Sequence, residues 1–259
     1  MTYVSVILPT YNRARLIERA IGSVLSQTHR ELELIVVDDG STDDTAALVE
    51  QVGDERVSFI RQENAGAPSA RNRGVAAARG AWVAFQDSDD EWDPGFLESV
   101  VARAAPERVV FTSHAVIFRS GIIEVVPSGR VSNPGRTLLR GNIASMQTAL
   151  LPVDLARSNP FDTSLPRFQD WDLWLALIEA DVEFVHLPLI GATLHRQTDS
   201  ISEGSLEVRQ RSLRQILTKH RRTVSKDPVA LARLLARAYA PDRLVSARHR
   251  QRRPEVGST

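Results

Sequence analysis

The chain has 259 residues, a formal net charge of zero and 25% charged residues. Such values describe an ordinary globular protein, one large domain or one domain with an appendage, and argue against a nucleic-acid binder that works by bulk charge. The absence of cysteine excludes a disulfide framework, a thiolate metal site and a cysteine nucleophile.

Val4 to Leu8 is a short β-branched run closed by Pro9, which predicts a buried strand. After Thr10-Tyr11-Asn12, apolar residues at Leu16, Ile17, Ala20, Ile21, Val24 and Leu25 fall at helical spacing. Leu32 to Val37 predicts a second strand, ending in Asp38-Asp39-Gly40-Ser41-Thr42-Asp43, with Ser41 or Thr42 as cap of a helix through Ala46, Leu48, Val49 and Val52. Val57 to Ile60 is a third strand. A helix from Ser69 to Ala78 follows Pro68 and stops at Gly80. Trp82 to Phe85 is the fourth strand.

Unbroken apolar strands alternating with helices imply parallel strands covered on both faces, an α/β class in which ligands sit beyond the carboxyl ends of the strands. Three strands end in polar residues on that rim: Thr10-Tyr11-Asn12, Asp38-Asp39 and Asp87-Ser88-Asp89. Carboxylates crowded at a strand end repel one another, and partial burial costs several kcal/mol each unless a cation compensates. Hard oxygen ligands suit Mg²⁺ or Mn²⁺ beside substrate phosphate. Taken alone, Asp87 to Glu91 also reads as an acidic turn capping a helix near Pro94. Two acidic strand ends and one polar one on a single rim favour a site.

Beyond Trp92 the pattern loosens. Phe96 to Ala102 predicts a helix and Val109 to Phe111 a strand. Val116 to Phe118 and Ile122 to Val126 predict a hairpin about Ser120-Gly121, and Pro127 to Asn142 a mobile loop. A short strand at Ala149 to Leu151 precedes a helical turn at Val153 to Ala156. A compact helix begins at Asp170, with Trp171, Trp174, Leu175 and Ile178 as its apolar face. Phe184 to Leu187 and Ile190 to Leu194 predict two late strands. From Leu206 the chain reads as helical and basic, with Val208, Leu213, Ile216 and Leu217 on one face. A last helix spans Val229 to Ala240 and ends at Pro241, and a disordered tail runs from Arg248 to Thr259.

In this order and spacing, five segments resemble the inverting family 2 glycosyltransferases of the GT-A fold. They are Val4-Ser-Val-Ile-Leu-Pro-Thr-Tyr-Asn12, Val36-Val-Asp-Asp-Gly-Ser-Thr-Asp43, Asn64-Ala-Gly-Ala-Pro-Ser-Ala-Arg-Asn-Arg-Gly74, Asp87-Ser-Asp-Asp90 and Gln169-Asp-Trp-Asp-Leu-Trp174. The resemblance covers residues 3 to 202. It implies a mostly parallel nucleotide-binding sheet flanked by helices, with a small antiparallel acceptor-side region and C-terminal helices. It implies transfer of a sugar from a nucleoside-diphosphate sugar, most often a UDP-sugar, to a hydroxyl acceptor.

By the same resemblance, Pro9, Thr10, Tyr11, Asp39, Arg71, Asp87 and Ser88 line the nucleotide site. Asp39 would meet the base, and Asp87 the nucleoside. Asp89 would ligate Mn²⁺ or Mg²⁺, Asp90 would give structural support, and Asp170 would be the base that takes the acceptor's proton. Each has a plainer reading: a turn carboxylate for Asp39, a solvated helix arginine for Arg71, a helix N-terminal carboxylate for Asp170. Gln169 stands where many relatives have Glu. His195, in Leu194-His-Arg-Gln-Thr-Asp-Ser-Ile-Ser202, stands where Arg is common, so it is a candidate metal ligand or a structural histidine. Trp92, Gln169 and Trp171 are placed on the acceptor side, Trp174 in the core, and Asp172 away from the base.

Two rivals compete. A sugar nucleotidyltransferase is disfavoured because Pro9-Thr-Tyr-Asn-Arg13 lacks glycine, and a degenerate binding domain because Asp89 and Asp170 are present. The expected layout is a transferase domain over 1–204, basic helices over 205–247 and the tail over 248–259. No apolar run approaches the ~20 residues of a membrane span. Met1 to Leu8 enters a strand directly, which predicts no signal peptide and a cytoplasmic protein. The basic C-terminal helices either meet an anionic membrane surface or pack on the domain with solvated arginines. A homo-oligomer is compatible with all of this.

Overall fold

The computed structural model describes residues 2–118, 121, 123–195 and 205–239. Strands β1 (Val4–Thr10), β2 (Leu32–Asp38), β3 (Val57–Arg61) and β4 (Trp82–Phe85) alternate with helices α1 (Ile17–Leu25), α2 (Thr45–Glu50) and α3 (Ala67–Ala77). All seven residues of β1 and of β2 are buried, which is why they read as unbroken apolar runs. Then come β5 (Glu91–Trp92), α4 (Phe96–Val101), β6 (Arg108–Ile117), β7 (Ile123–Val126), α5 (Pro134–Arg140) and a 3₁₀ turn at Met146–Thr148. They are followed by β8 (Ala149–Pro152), α6 (Val153–Ser158), α7 (Gln169–Glu179) and β9 (Glu183–His195). The helices α8 (Leu206–Lys219), α9 (Arg221–Val224) and α10 (Pro228–Tyr239) come last.

Among the described residues the strands join in one sheet of order β3-β2-β1-β4-β8-β6-β9-β5, with β7 paired to β6. The β3-β2-β1-β4 half is parallel, as is β6 with β9; β8, β5 and β7 pair antiparallel with their neighbours. This matches the expected mostly parallel sheet with an antiparallel acceptor side. One face, with Ile7, Ile35, Val83 and Phe111, is covered by α3, α6 and α7. The other, with Val6, Leu34, Ala84 and Val110, is covered by α1, α2 and α4. Each fully buried Leu, Ile or Phe contributes roughly 1.5–3 kcal/mol through area removed from water.

Helix α7 is two-sided. Trp174 and Leu177 face the sheet, while Trp171 and Leu175 join Leu213, Ile216, Leu217, Val224, Leu234 and Ala238 in an outer core beneath α8–α10. The basic helices therefore pack on the domain through their apolar stripes.

Several expectations need correction. The Pro127–Asn142 segment is not a loop throughout: Pro134 opens α5, and the Asn133 side chain accepts from Arg136 N at 3.0 Å. The two late strands are one, because Ile190–His195 stays in register with β6 after a bulge near Thr112 and Ser113. Val109–Phe111 and Val116–Ile117 likewise belong to the single strand β6. Neither Ser41 nor Thr42 caps α2. Asp43 accepts from Thr45 N at 3.0 Å instead, and Ser41 Oγ accepts from Asn12 N at 2.9 Å. The turn residue Ser120, the 196–202 part of the late motif, Pro241 and the 248–259 tail lie outside the described residues.

Candidate active site

Parallel pairing sets the rim. With Thr10 opposite Asp38, β1 and β2 end level with each other, and β4 ends beside β1 with Phe85 opposite Ile7. Those exits open into a cavity of ≈ 780 Å³ lined by Pro9, Thr10, Tyr11, Asp39, Arg71 and the run Asp87 to Asp90, with Gln147 and His195 opposite. Seven of the expected nucleotide-side residues are thus in one place. A separate depression of ≈ 510 Å³ between α8 and the Asp162–Leu165 turn shares no residue with this rim.

Asp39 is buried and already hydrogen-bonded. Its Oδ1 accepts from Gln62 Nε2 at 2.7 Å and Ala65 N at 2.9 Å, and its Oδ2 accepts from Gly66 N at 2.8 Å. The carboxylate pins the 64–66 loop, where Gly66 takes φ of 88°, a conformation open to glycine. Three of the carboxylate's four lone-pair sites are thus used, and the one left is on Oδ2.

The acidic cluster divides by environment. Burial and the like charge of Asp87 push Asp89 above the usual carboxylate range, while Arg13 and Arg19 pull it back. The Arg19 guanidinium also donates to the Asp89 carbonyl. Asp90 is pushed up to about 7, by burial first and Asp89 second. Its carboxylate is structural: Oδ2 accepts from Gln147 Nε2 at 2.6 Å and Oδ1 from His195 N at 2.7 Å, stitching the β4 exit to β9.

A second cavity of ≈ 670 Å³ shares Arg71, Asp87, Ser145 and Leu194 with the first and extends to Phe161, Arg167, Gln169 and Asp170. Arg71 stands at the junction: Nη2 donates to Asp87 Oδ1 at 2.7 Å and Nη1 to Gln169 Oε1 at 3.4 Å, with the guanidinium over the Phe161 ring. Asp170 lies in the first turn of α7, which begins at Gln169, one residue before the expected start, after Phe168 in left-handed φ of 63° and ψ of 31°. An aromatic residue rarely takes that shape, which costs of order 1–2 kcal/mol and here turns the first turn of α7 toward the cavity. Asp170 is half-buried; Oδ2 accepts from Asn142 Nδ2 at 2.7 Å and Oδ1 from Trp171 N at 2.8 Å. Burial raises its affinity for a proton, and those two donors and Arg71 oppose the rise.

A family model, "Glycosyl transferase family 2", matches residues 5–146, more than half of the chain. This chain belongs to glycosyl transferase family 2. An uncharacterized glycosyltransferase of Rickettsia felis is 35% identical over 181 residues, 68% of this chain and 30% of that protein. An uncharacterized glycosyltransferase of Nostoc is 38% identical over 134 residues, 51% of this chain and 42% of its own. The chain thus spans less than half the length of these two relatives. It aligns with 81% of the Escherichia coli UDP-Glc:alpha-D-GlcNAc-diphosphoundecaprenol beta-1,3-glucosyltransferase WfgD, at 30% identity over 79% of this chain. In fold it is similar to S. aureus TarS 1-349 in complex with UDP-GlcNAc, with a TM-score of 0.72 at 21% identity over 93% of this chain and 74% of that one. The mannosyltransferase PcManGT from Pyrobaculum calidifontis, in complex with GDP-Man and Mn²⁺, gives 0.62 at 23% identity, covering 92% and 69%. These likenesses establish the GT-A fold.

Two residues expected on the acceptor side, Trp92 and Trp171, take other positions. Trp92 does not line the acceptor side: it is 4% exposed, tilted against Phe96, with Nε1 donating to Gln147 O at 2.7 Å. Trp171 is likewise core, 1% exposed, with Nε1 donating to Leu138 O at 2.7 Å. Both rings leave water because their single donor finds a buried carbonyl. His195 does line the first cavity, but its Nε2 lies 2.8 Å from Glu91 Oε1, an ion pair when protonated that competes with metal ligation. Glu91 is in β5 and does not open the next helix. Trp174 is core, and Asp172 faces away from the cavity to His220 at 2.8 Å and Lys219 at 2.7 Å.

The sequence carries no signal for Asn142 and Gln147, which the structure brings to the site. Neither follows a strand or opens a helix, so nothing local marks them. The donor set at the rim suits a hard divalent cation: Asp89 is a carboxylate made unstable as an anion by burial and a like charge, a state that a dication relieves. Among the described residues no three His, Asp or Glu side chains enclose an ion, so most ligands would come from substrate phosphate and water.

Proposed function

We propose that this chain transfers a sugar, with inversion, from a nucleoside-diphosphate sugar to a hydroxyl acceptor, and that it requires a divalent cation. The observation that carries the reading is the pairing of two joined cavities: one with the acidic strand ends, the other with Asp170 at its far side. In this reading Thr10, Tyr11 and Asp39 receive the base, Asp87 meets the nucleoside, and Pro9 and Ser88 close the wall. Arg71 holds Asp87 and presents positive charge to the diphosphate. Asp89 would hold Mn²⁺ or Mg²⁺, which supplies Lewis-acid stabilisation of the departing diphosphate. Asp170 accepts the acceptor's hydroxyl proton, and burial suits it by raising its basicity. Gln169 steadies Arg71.

UDP is the favoured donor nucleotide and a lipid-linked diphosphate glycan the favoured acceptor class, by likeness to the E. coli relative. Residues up to 204 would carry the chemistry. The helices from 205 would bring the site to a membrane surface, as peripheral contact, since Arg221, Arg222 and Lys226 are exposed together with Val229 and Tyr239.

The test is release of nucleoside diphosphate from a panel of UDP-, GDP- and TDP-sugars with Mn²⁺, with and without a GlcNAc-diphosphate-lipid acceptor. We expect turnover with one donor, loss on chelation, and a fall of roughly 10³-fold or more in Asp170→Asn and Asp89→Ala. Full activity in both variants would sink the reading.

A further inference from the structure

We propose that Asn142 is a positioning residue for Asp170, held in place because α5 is clamped by Asp227 of the C-terminal helices. The proposal rests on the reading of Asp170 as the base. Asn142 Nδ2 donates to Asp170 Oδ2 at 2.7 Å, so with Trp171 N on Oδ1 at 2.8 Å each carboxylate oxygen has one donor and a fixed direction. The amide orientation is dictated by the contact, since a flip would set Oδ1 against a carboxylate oxygen, acceptor against acceptor. Asn142 Oδ1 is buried and finds no donor among the described residues. A buried amide with one unsatisfied end is poor packing. The hydrogen bond at its other end explains why an amide stands there.

A neutral donor suits this task. It orients the carboxylate and favours the anion less than an ion pair would, leaving it basic. The charged groups acting on Asp170 are Arg71 from α3 and Asp87 from the β4 exit. The Arg71 guanidinium donates to Asp87 at 2.7 Å and to Gln169 at 3.4 Å, whereas the side chain that donates to Asp170 is Asn142.

The position of Asn142 is set at a distance. It follows α5 by two residues. Arg136 Nε and Arg140 Nε both donate to Asp227 Oδ2 at 3.0 Å, and Trp171 Nε1 donates to Leu138 O at 2.7 Å. Asp227 in turn caps α10, accepting from Val229 N and Ala230 N at 3.0 Å. The C-terminal helices, α5 and α7 are thus tied at both ends of the Asn142 contact.

The experiment compares wild type with Asn142→Ala, the isosteric Asn142→Asp, and Asp170→Asn. The proton affinity of Asp170 is read by NMR titration of ¹³C-aspartate-labelled apoprotein, its signal assigned by loss in Asp170→Asn. In parallel, kcat and donor KM are measured across pH on whichever donor of the panel the wild type turns over. Loss of one charge-assisted hydrogen bond should raise the Asp170 pKa by about one to two units in Asn142→Ala. Asn142→Asp, which adds a like charge in the same volume, should raise it further. The acid limb of kcat should move up with it, kcat at neutral pH should fall about tenfold, and donor KM should stay within about twofold. An Asp170 signal and acid limb that stay put in both variants would overturn the proposal. Full turnover by Asp170→Asn would remove the base reading instead, while leaving the NMR result to stand or fall by itself.

Discussion

Single residues here are constrained by segments distant in the chain that lie beside them. Gly80 has no side chain because a Cβ would lie 2.7 Å from Tyr3 O and 2.8 Å from Ser5 N, both backbone atoms that cannot yield cheaply. We expect Gly80→Ala to lose about 1–3 kcal/mol in urea denaturation, whereas Gly129→Ala, with open space around it, should be within about 0.5 kcal/mol of wild type. Asp90 makes stability depend on pH. Its folded pKa is about 7, above the ~3.9 of an unfolded Asp, so between about pH 4 and 7 the native state keeps a proton that the unfolded chain has released. Stability should therefore decline as pH rises through that window, by up to about 4 kcal/mol, and Asp90→Asn should flatten the decline. Thermal melts from pH 4 to 8 in chelator decide it; equal slopes in both proteins would refute it. The strand-end position of Asp90 was legible in the sequence. Its burial against Gln147 and the His195 amide was not, since both partners are distant in the chain.

At the scale of elements, α5 and α7 show how the site is braced. The sequence segment Pro127–Asn142 reads as loop because α5 has a short apolar stripe, only Leu138 and Leu139. What holds it is the pair Arg136 and Arg140, one turn apart, meeting Asp227. Those arginines hold the Asp227 carboxyl far below its usual range. Asp227→Ala should free α5 and lower both Tm and kcat, whereas Lys226→Ala beside it, exposed and without that clamp, should change neither. Scanning calorimetry and donor turnover on the two variants separate the outcomes, and a silent Asp227→Ala would argue that α5 is held by packing alone. For α7 the helical period was plain, yet the division of its tryptophans was not. A wheel puts Trp171 and Trp174 on one broad apolar face. Only the presence of α8–α10 shows that Trp171 faces outward into a second core and Trp174 inward.

Across the whole molecule, a net charge of zero conceals polarity. From Ser205 to Tyr239 the bases are Arg209, Arg211, Arg214, Lys219, Arg221, Arg222, Lys226, Arg233 and Arg237, against the acids Glu207 and Asp227. Among the described residues no helix is long and apolar enough to cross a membrane. An anionic surface would nonetheless attract this end, at about 1 kcal/mol per basic residue near it. Sedimentation with vesicles containing anionic lipid should carry the protein down at low salt and release it at high salt, with little binding to neutral vesicles. Retention on neutral vesicles alone would argue that Val229, Leu235 and Tyr239 act without the charges.

The sequence by itself determined the parallel half of the sheet, the acidic rim and the carboxylate in the first turn of α7. These rest on local signals: β-branched runs, helical spacing, and charge set where a strand stops. Only the tertiary structure decided that Trp92 and Trp171 are core, that β9 is a single strand beside β6, that Glu91 holds His195, and that Asn142 meets Asp170. Each depends on which segments distant in the chain share a surface, and hydrogen bonds between such segments leave no periodic trace along it. A carboxylate can be recognised from its neighbours in sequence, whereas its proton affinity is set by its neighbours in space.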